Sequence, residues 1–263
     1  MVSDVSSDTR IGVIVLRPRI EHKNSRMRKQ RRASKNIERR VLSRYHSPRV
    51  GSDDARHRTP EAPRSSMKPG RTGLHPWLDV LARLSSAAAV SIASIRGRAR
   101  GAGSEFALAC DMRFGSREQC VLAQFEVGVG AVPGGGPMAR LARLVGRGRA
   151  LEIVLGADDF PGDLAAHYGY INRALPDGEL DDFVESFARR LSNFDKRAIA
   201  EVKKLIDGPT LSSLSEFEAG MEAYFVSATR PETRARIGAA ISAGLQRRGD
   251  VELNLGRYVG RGM

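Results

Sequence analysis

Hydrophobic and polar positions along this chain fall into a strongly patterned region after about residue 73 and a weakly patterned one before it. Pro76 in a first turn, followed by Leu78, Leu81 and Leu84 at spacing three, predicts a helix over 75–84. The small and β-branched run 87–95 predicts a buried strand. Gly97-Arg-Ala-Arg-Gly101-Ala-Gly103 then reads as a turn, and Phe106, Ala109 and Cys110 at helical spacing predict a helix over about 103–112. A short apolar run, 121–125, delivers Glu126 directly before a second glycine-rich stretch, 127–136.

Further on, helices are expected over 137–145 and 148–155, with Gly146 separating them. Residues 165–172 read as a helix, a glycine cap and a short strand, and Pro176-Asp-Gly marks a turn. Helical spacing recurs over 182–191 and 196–206, the latter ended by Gly208-Pro209, then over 214–226 and 233–245. A Gly/Arg-rich tail is expected over 251–263. Alternating strands and helices followed by a run of helices imply an α/β core with a helical end.

Before Gly73 the pattern thins. Residues 11–16 read as a short strand, and 26–45 could form a basic helix with Ile37, Val41 and Tyr45 on one side. Residues 46–72 have no periodicity and are expected to be a disordered linker. The organisation expected is a basic, mostly disordered segment (1–72), an α/β core (73–208) and a helical C-terminal region with its tail (209–263).

Charge sharpens that division. The formal net charge of +13 would point to a polyanionic partner if it were spread over the whole chain. Residues 1–72 hold 19 Lys and Arg against 7 Asp and Glu, leaving 24 against 23 for the rest, so the patterned region is nearly neutral. The basic segment admits two readings, a solvated tail or an arm that binds nucleic acid or acidic partners.

Two unclustered cysteines, Cys110 and Cys120, argue for packing residues in a reducing, cytoplasmic setting. The five histidines show no metal-ligand spacing, so no metal site is expected. No 18-residue apolar run is present, and no membrane span is expected.

The chemistry to be explained lies between residues 92 and 136. Glycines at a strand-to-helix junction let the backbone approach a ligand, and the helix that follows offers unpaired N–H groups and a positive dipole end. An oxyanion could sit there, although most such turns merely connect. Two glutamates follow, Glu105 in the helix and Glu126 before the second glycine stretch. By themselves Glu105 fits the common preference for a carboxylate near a helix N-terminus, and Glu126 a charge at a strand end.

Several features recur in one order: Ile-x-Gly-x-Ala-x-Gly-x-Gly-x-Glu across 95–105, Leu-Ala-Cys-Asp-x-Arg at 108–113, and Glu-Val-Gly-Val-Gly-Ala-Val-Pro-Gly-Gly-Gly at 126–136. Gly146-Arg-Gly-Arg-Ala, Gly156 and Ala166-x-x-x-Gly-Tyr-Ile-Asn continue it. With these motifs, residues from about 74 to 208 resemble the enoyl-CoA hydratase/isomerase, or crotonase, superfamily. The resemblance implies a crotonase-like spiral of ββα units with a helical C-terminal region, assembly as a homotrimer or hexamer, and an acyl-CoA substrate. It implies no cofactor beyond the coenzyme A carried by that substrate.

By position, the resemblance makes the Ala102 N–H, flanked by Gly101 and Gly103, one of two donors to the thioester oxyanion. Glu105 and Glu126 match the pair that hydratases of the family use to activate water and to exchange the proton at the α carbon. Two departures stand within the match: Ala102 replaces a frequent glycine, and Phe125 replaces a frequent proline.

The larger departure is upstream. The family's Ala-Gly-x-Asp loop, which supplies the second oxyanion donor, is not found in residues 1–72, and 17–72 do not match the family. The arginine load and the lost periodicity begin and end together, as expected of a segment read out of frame or wrongly joined. Two functions are therefore expected to compete: an enoyl-CoA hydratase/isomerase-like enzyme that the aberrant N-terminus would impair, and a non-catalytic crotonase-like protein with a basic binding arm.

Overall fold

The computed structural model describes residues 13–16 and 67–262. The basic helix expected over 26–45 and most of the expected linker lie outside the described residues.

Among the described residues, seven strands make two small sheets. The first holds β1 (Val13–Leu16), β2 (Val90–Ile95), β4 (Met112–Ser116) and β7 (Arg173–Leu175), all parallel in the order β1-β2-β4-β7. The second holds β3 (Arg98–Arg100), β5 (Val121–Ala123) and β6 (Phe160–Pro161), with β3 and β5 parallel and β6 antiparallel to β5. Gly97, at φ 106°, lets the chain leave β2 in one sheet and enter β3 in the other. The same step recurs from β4 to β5, so the strands from β2 to β5 alternate between the two sheets. The turn expected over 97–103 therefore contains a strand.

The helices are α1 (Pro76–Ser85), α2 (Ala102–Ala109), α3 (Pro137–Val145), α4 (Arg147–Gly156), α5 (Gly162–Tyr168), α6 (Leu180–Ser192), α7 (Lys196–Thr210), α8 (Leu214–Ala228), α9 (Pro231–Ala243), α10 (Asp250–Leu253) and α11 (Leu255–Val259). A turn of 3₁₀ helix covers Glu126–Val129. The mixed α/β architecture with a helical C-terminal region is the one expected. The main core joins Ile95, Leu108, Leu122, Leu141, Ile153, Phe160 and Ile171 between the two sheets and α2 to α5.

Several local expectations are corrected. Met112–Ser116 forms a central strand that the periodicity missed, because its one charged residue, Arg113, is buried. That guanidinium donates to the carbonyls of Cys110 (2.7 Å), Tyr170 (3.0 Å) and Ala107 (3.4 Å), which compensates its burial. The stop expected at Gly208-Pro209 fails: α7 runs on to Thr210, and Leu211 N–H reaches Asp207 O at 2.8 Å.

The expected Gly/Arg-rich tail instead forms α10 and α11. Leu255 and Val259 are buried with Val129, Ala131 and Ala157, so this segment packs on the turn that begins at Glu126. Residues 67–72, expected within the linker, form a loop closed by Gly70 N–H to Leu74 O (2.8 Å) and by Thr72 N–H to Asp79 Oδ1 (2.8 Å).

Long-range polar contacts lock the site region. Arg100, whose side chain is 5% exposed, forks onto Asp159 at 2.6 and 2.5 Å and donates to the Glu252 carbonyl at 2.5 Å. Among the described residues no helix is long and apolar enough to cross a membrane. Cys110 and Cys120 are buried free thiols, each pushed up to about 12 chiefly by burial, as suits packing residues.

Candidate active site

The site is built where β3 runs into α2. Gly101 caps the helix at φ 50°, a conformation that favours glycine, and its N–H pairs with Ala123 O at 3.0 Å. A Cβ at Gly101 would meet Glu126 Oε1 at 2.9 Å and the Phe125 ring at 3.0 Å. The bare glycine thus leaves the room in which Glu126 lies against the start of α2. Ala102 and Gly103 are exposed, and first-turn N–H groups have no intrahelical acceptor, so the positive end of the helix opens outward.

One turn further, Glu105 is 4% exposed and has a donor on each oxygen. Gly135 N–H reaches Oε1 at 2.6 Å, and the Trp77 indole N–H reaches Oε2 at 2.8 Å. Burial pushes the Glu105 carboxyl up, while the two hydrogen bonds and the nearby Arg140 charge oppose that rise. Gly135 allows this seat because a Cβ there would lie 2.1 Å from Glu105 Oε2 and 2.7 Å from the indole nitrogen.

Glu126 is treated differently. It begins the 3₁₀ turn, and its Oε2 is buried without a hydrogen-bond partner among the described residues. Burial, reinforced by the charge of Glu105, raises its carboxyl to about 8. The protonated form of Glu126 is therefore the one its surroundings favour. Two carboxyls share one small region, one with a fixed donor on each oxygen and the other with one buried oxygen left without a partner.

Behind them, Ser104 and Tyr170 are buried with their hydroxyl oxygens 2.5 Å apart. Tyr224 on α8 is half-buried, and its hydroxyl is pushed up by burial and then by the charges of both Glu105 and Glu126. A Cβ at Gly134 would lie 3.0 Å from Tyr224 Cβ, so α8 closes directly over the second glycine stretch. Val132 N–H to Ser227 Oγ (2.9 Å) and Thr233 Oγ1–H to Gly130 O (3.0 Å) fasten that stretch to α8 and α9.

All five residues singled out in the sequence, Gly101, Ala102, Gly103, Glu105 and Glu126, converge here. Trp77, Gly135 and Tyr224 were missed as site residues. Trp77 carries one possible signal, being the only tryptophan of the chain; Tyr224 lies in a helix whose spacing describes packing alone. Among the described residues no cluster of three or more His, Cys, Asp or Glu could hold a metal ion.

The chain's similarity to known proteins falls on this same region. The family model for enoyl-CoA hydratase/isomerase matches residues 65–238. The short-chain-enoyl-CoA hydratase of Clostridium acetobutylicum is 34% identical over 116 residues, 44% of this chain and 44% of that protein. The crotonyl-CoA hydratase of Syntrophomonas wolfei is 36% identical over 108 residues, 41% of each. The chain thus spans somewhat under half the length of these curated relatives.

A solved structure from Streptomyces avermitilis, provisionally assigned as an enoyl-CoA hydratase, is 45% identical, with a TM-score of 0.70 over 72% of this chain and 70% of that one. The stretch matched by the family model spans both glycine turns and both glutamates. The chain belongs to the enoyl-CoA hydratase/isomerase family.

Proposed function

We propose that this chain adds water to, or shifts the double bond of, an α,β-unsaturated acyl-CoA thioester at the start of α2. The observation that carries the reading is the opposed setting of Glu105 and Glu126 beside an outward-facing helix N-terminus. Addition to the β carbon drives the double-bond electrons toward the thioester oxygen. The Ala102 N–H, with Gly101 and Gly103 giving the turn its shape, donates to that developing oxyanion.

Glu105, whose anion is supported by two donors, takes a proton from water as the water oxygen bonds the β carbon. Glu126, protonated at neutral pH, gives its proton to the α carbon as the enolate collapses. The product gains one water across the double bond, and the two carboxyls have exchanged protonation states. Proton transfer between them, directly or through solvent, resets the site. In isomerisation one carboxylate removes a proton from the substrate and returns it two carbons away.

Coenzyme A enters only as part of the substrate. The reading also takes the chain to be a homotrimer or hexamer, which light scattering on the purified protein would check, and to work in a reducing cytoplasmic setting.

The test is the hydration of short and medium enoyl-CoA substrates, followed by loss of the conjugated thioester absorbance. Glu105→Gln and Glu126→Gln are each expected to lower kcat by about 10²-fold or more. Unchanged rates in both variants would sink the assignment.

A further inference from the structure

Glu105 is not held by its own helix. Its carboxylate is fixed from two other directions, by a main-chain N–H from the second glycine stretch and by an indole N–H from α1. The terminal torsion of a glutamate is broad and offers little preference of its own, so an unsupported carboxylate would swing. With one donor on Oε1 and one on Oε2, the carboxylate plane is set, and the remaining lone pair of each oxygen has a defined direction.

Trp77 is itself held firmly. Its backbone N–H is capped by His75 Nδ1 at 3.3 Å, and burial lowers the His75 pKa, favouring the neutral imidazole that can accept this bond. Its ring stacks on Phe106, with centroids 6.5 Å apart and planes inclined by 25°, and packs against the cluster of Leu74, Leu78, Phe217 and Met221. Phe106 is the neighbour of Glu105 on α2. One side chain therefore packs on α2 and aims the carboxylate that α2 presents.

We propose that Trp77 is a positioning residue whose indole N–H fixes the orientation of the Glu105 carboxylate for proton transfer. The inference rests on the reading of Glu105 as a proton-transfer group. It also requires the nitrogen-bound hydrogen itself rather than the bulk of the ring. Charged and titratable groups around the pair come from every neighbouring element: His75 ahead of α1, Glu126 on the 3₁₀ turn, Arg140 on α3 and Tyr224 on α8. None of these donates to Glu105 Oε2 among the described hydrogen bonds, whereas Trp77 does.

The chain contains a single tryptophan, so biosynthetic replacement of tryptophan by β-(3-benzothienyl)alanine changes this side chain alone. Sulfur then stands where the N–H was, with ring size nearly kept. The expected result is a ten- to hundredfold fall in kcat, the range of a lost hydrogen bond to a charged group, with KM within about twofold. Unaltered kcat would overturn the proposal.

A second measurement does not depend on turnover. A sample labelled with ¹⁵N at tryptophan gives one indole N–H resonance, expected downfield as a donor to carboxylate and moving upfield in Glu105→Ala and in the near-isosteric Glu105→Gln. An indole resonance unmoved by both substitutions would overturn the proposal even in a preparation without turnover. The two readings fail separately: if Glu105→Gln retains full activity the role of Glu105 falls, and if Glu105→Gln is inactive while the sulfur analogue is normal only the role of Trp77 falls.

Discussion

Val259 of α11 closes on Gly128 so tightly that a Cβ at Gly128 would sit 1.8 Å from Val259 Cγ1. Gly128 lies in the 3₁₀ turn that starts with Glu126, so a C-terminal helix is the wall behind a candidate site residue. Gly128→Ala is expected to destabilise by about 1–3 kcal/mol through overpacking. Adding Val259→Ala removes the clashing methyl, so the double variant should lose less than the sum of the two single losses, as denaturant unfolding of all three would show. Strict additivity would mean that the two residues do not touch.

Gly135→Ala tests the seat of Glu105. Its methyl would meet the carboxylate carbon at 2.3 Å and the Trp77 nitrogen at 2.7 Å, so either the carboxylate turns away or the indole does. We expect hydration to fall by about 10²-fold, as on loss of positioned acid–base chemistry, with a smaller fractional change in thermal stability. Activity close to that of the unaltered chain would show that Glu105 does not need this geometry.

The raised carboxyl of Glu126 makes two pH predictions, each a decline as pH rises. A step that needs its proton is present below about 8 and lost as pH rises through that value, so kcat should fall on the alkaline side. For stability, the native carboxyl keeps a proton between its ordinary value near 4.5 and about 8, where the unfolded chain has released it. Native binding of the extra proton means that stability declines across that window as pH rises. Glu126→Gln removes the ionisable group, so it should flatten this decline and raise Tm relative to the unaltered chain at pH 8, while lowering turnover. Thermal unfolding at pH 5 and pH 8 checks the sign.

Helix α7 contains no fully buried residue, yet Lys203 reaches inward from it to Asp111 and to the Ser85 carbonyl (2.8 Å). Asp111 Oδ2 in turn accepts from Ser91 N–H at 2.7 Å, so the ammonium ties α7 to the end of α2 and the edge of β2. Lys203→Ala should cost about 1–3 kcal/mol, between the exposed and buried limits for ion pairs. Amide exchange in α7 should quicken more than in α3, which keeps the buried Leu141 and Arg140.

The unmatched N-terminal stretch carries a prediction that needs no protein. If residues from roughly 17 to 72 are read out of frame, one of the other two frames of the coding DNA should carry an Ala-Gly-x-Asp segment. Its absence from both would remove that explanation.

Much of the fold was legible because apolar spacing and glycine punctuation agree. Helix α3 was read over its observed residues, and α1, α4 and α6 to within one or two. What was missed depends on partners distant in sequence. β4 does not look like a strand because Arg113 occupies it, and only the carbonyls gathered by the fold make that burial tolerable. The tail looked polar and became two helices because Leu255 and Val259 find a hydrophobic surface made by residues near 129 and 157. In the site, Glu105 and Glu126 were legible because the order of surrounding residues resembles a family. Trp77 was not, because its apolar ring suits a helix core and its N–H finds a partner 28 residues away.

Arg100 stands immediately before Gly101, and its guanidinium is fastened to Asp159 and to the chain at Glu252, 59 and 152 residues away. The first N–H of α2 is therefore surveyed from a distant fixed point, not merely suspended from the preceding strand. A substitution at Asp159, with no contact to either glutamate, should be felt at the mouth of the site as a shift in the direction in which Ala102 points its hydrogen. On the proposed reading, loss of function can consequently begin at residues remote in sequence from both glutamates.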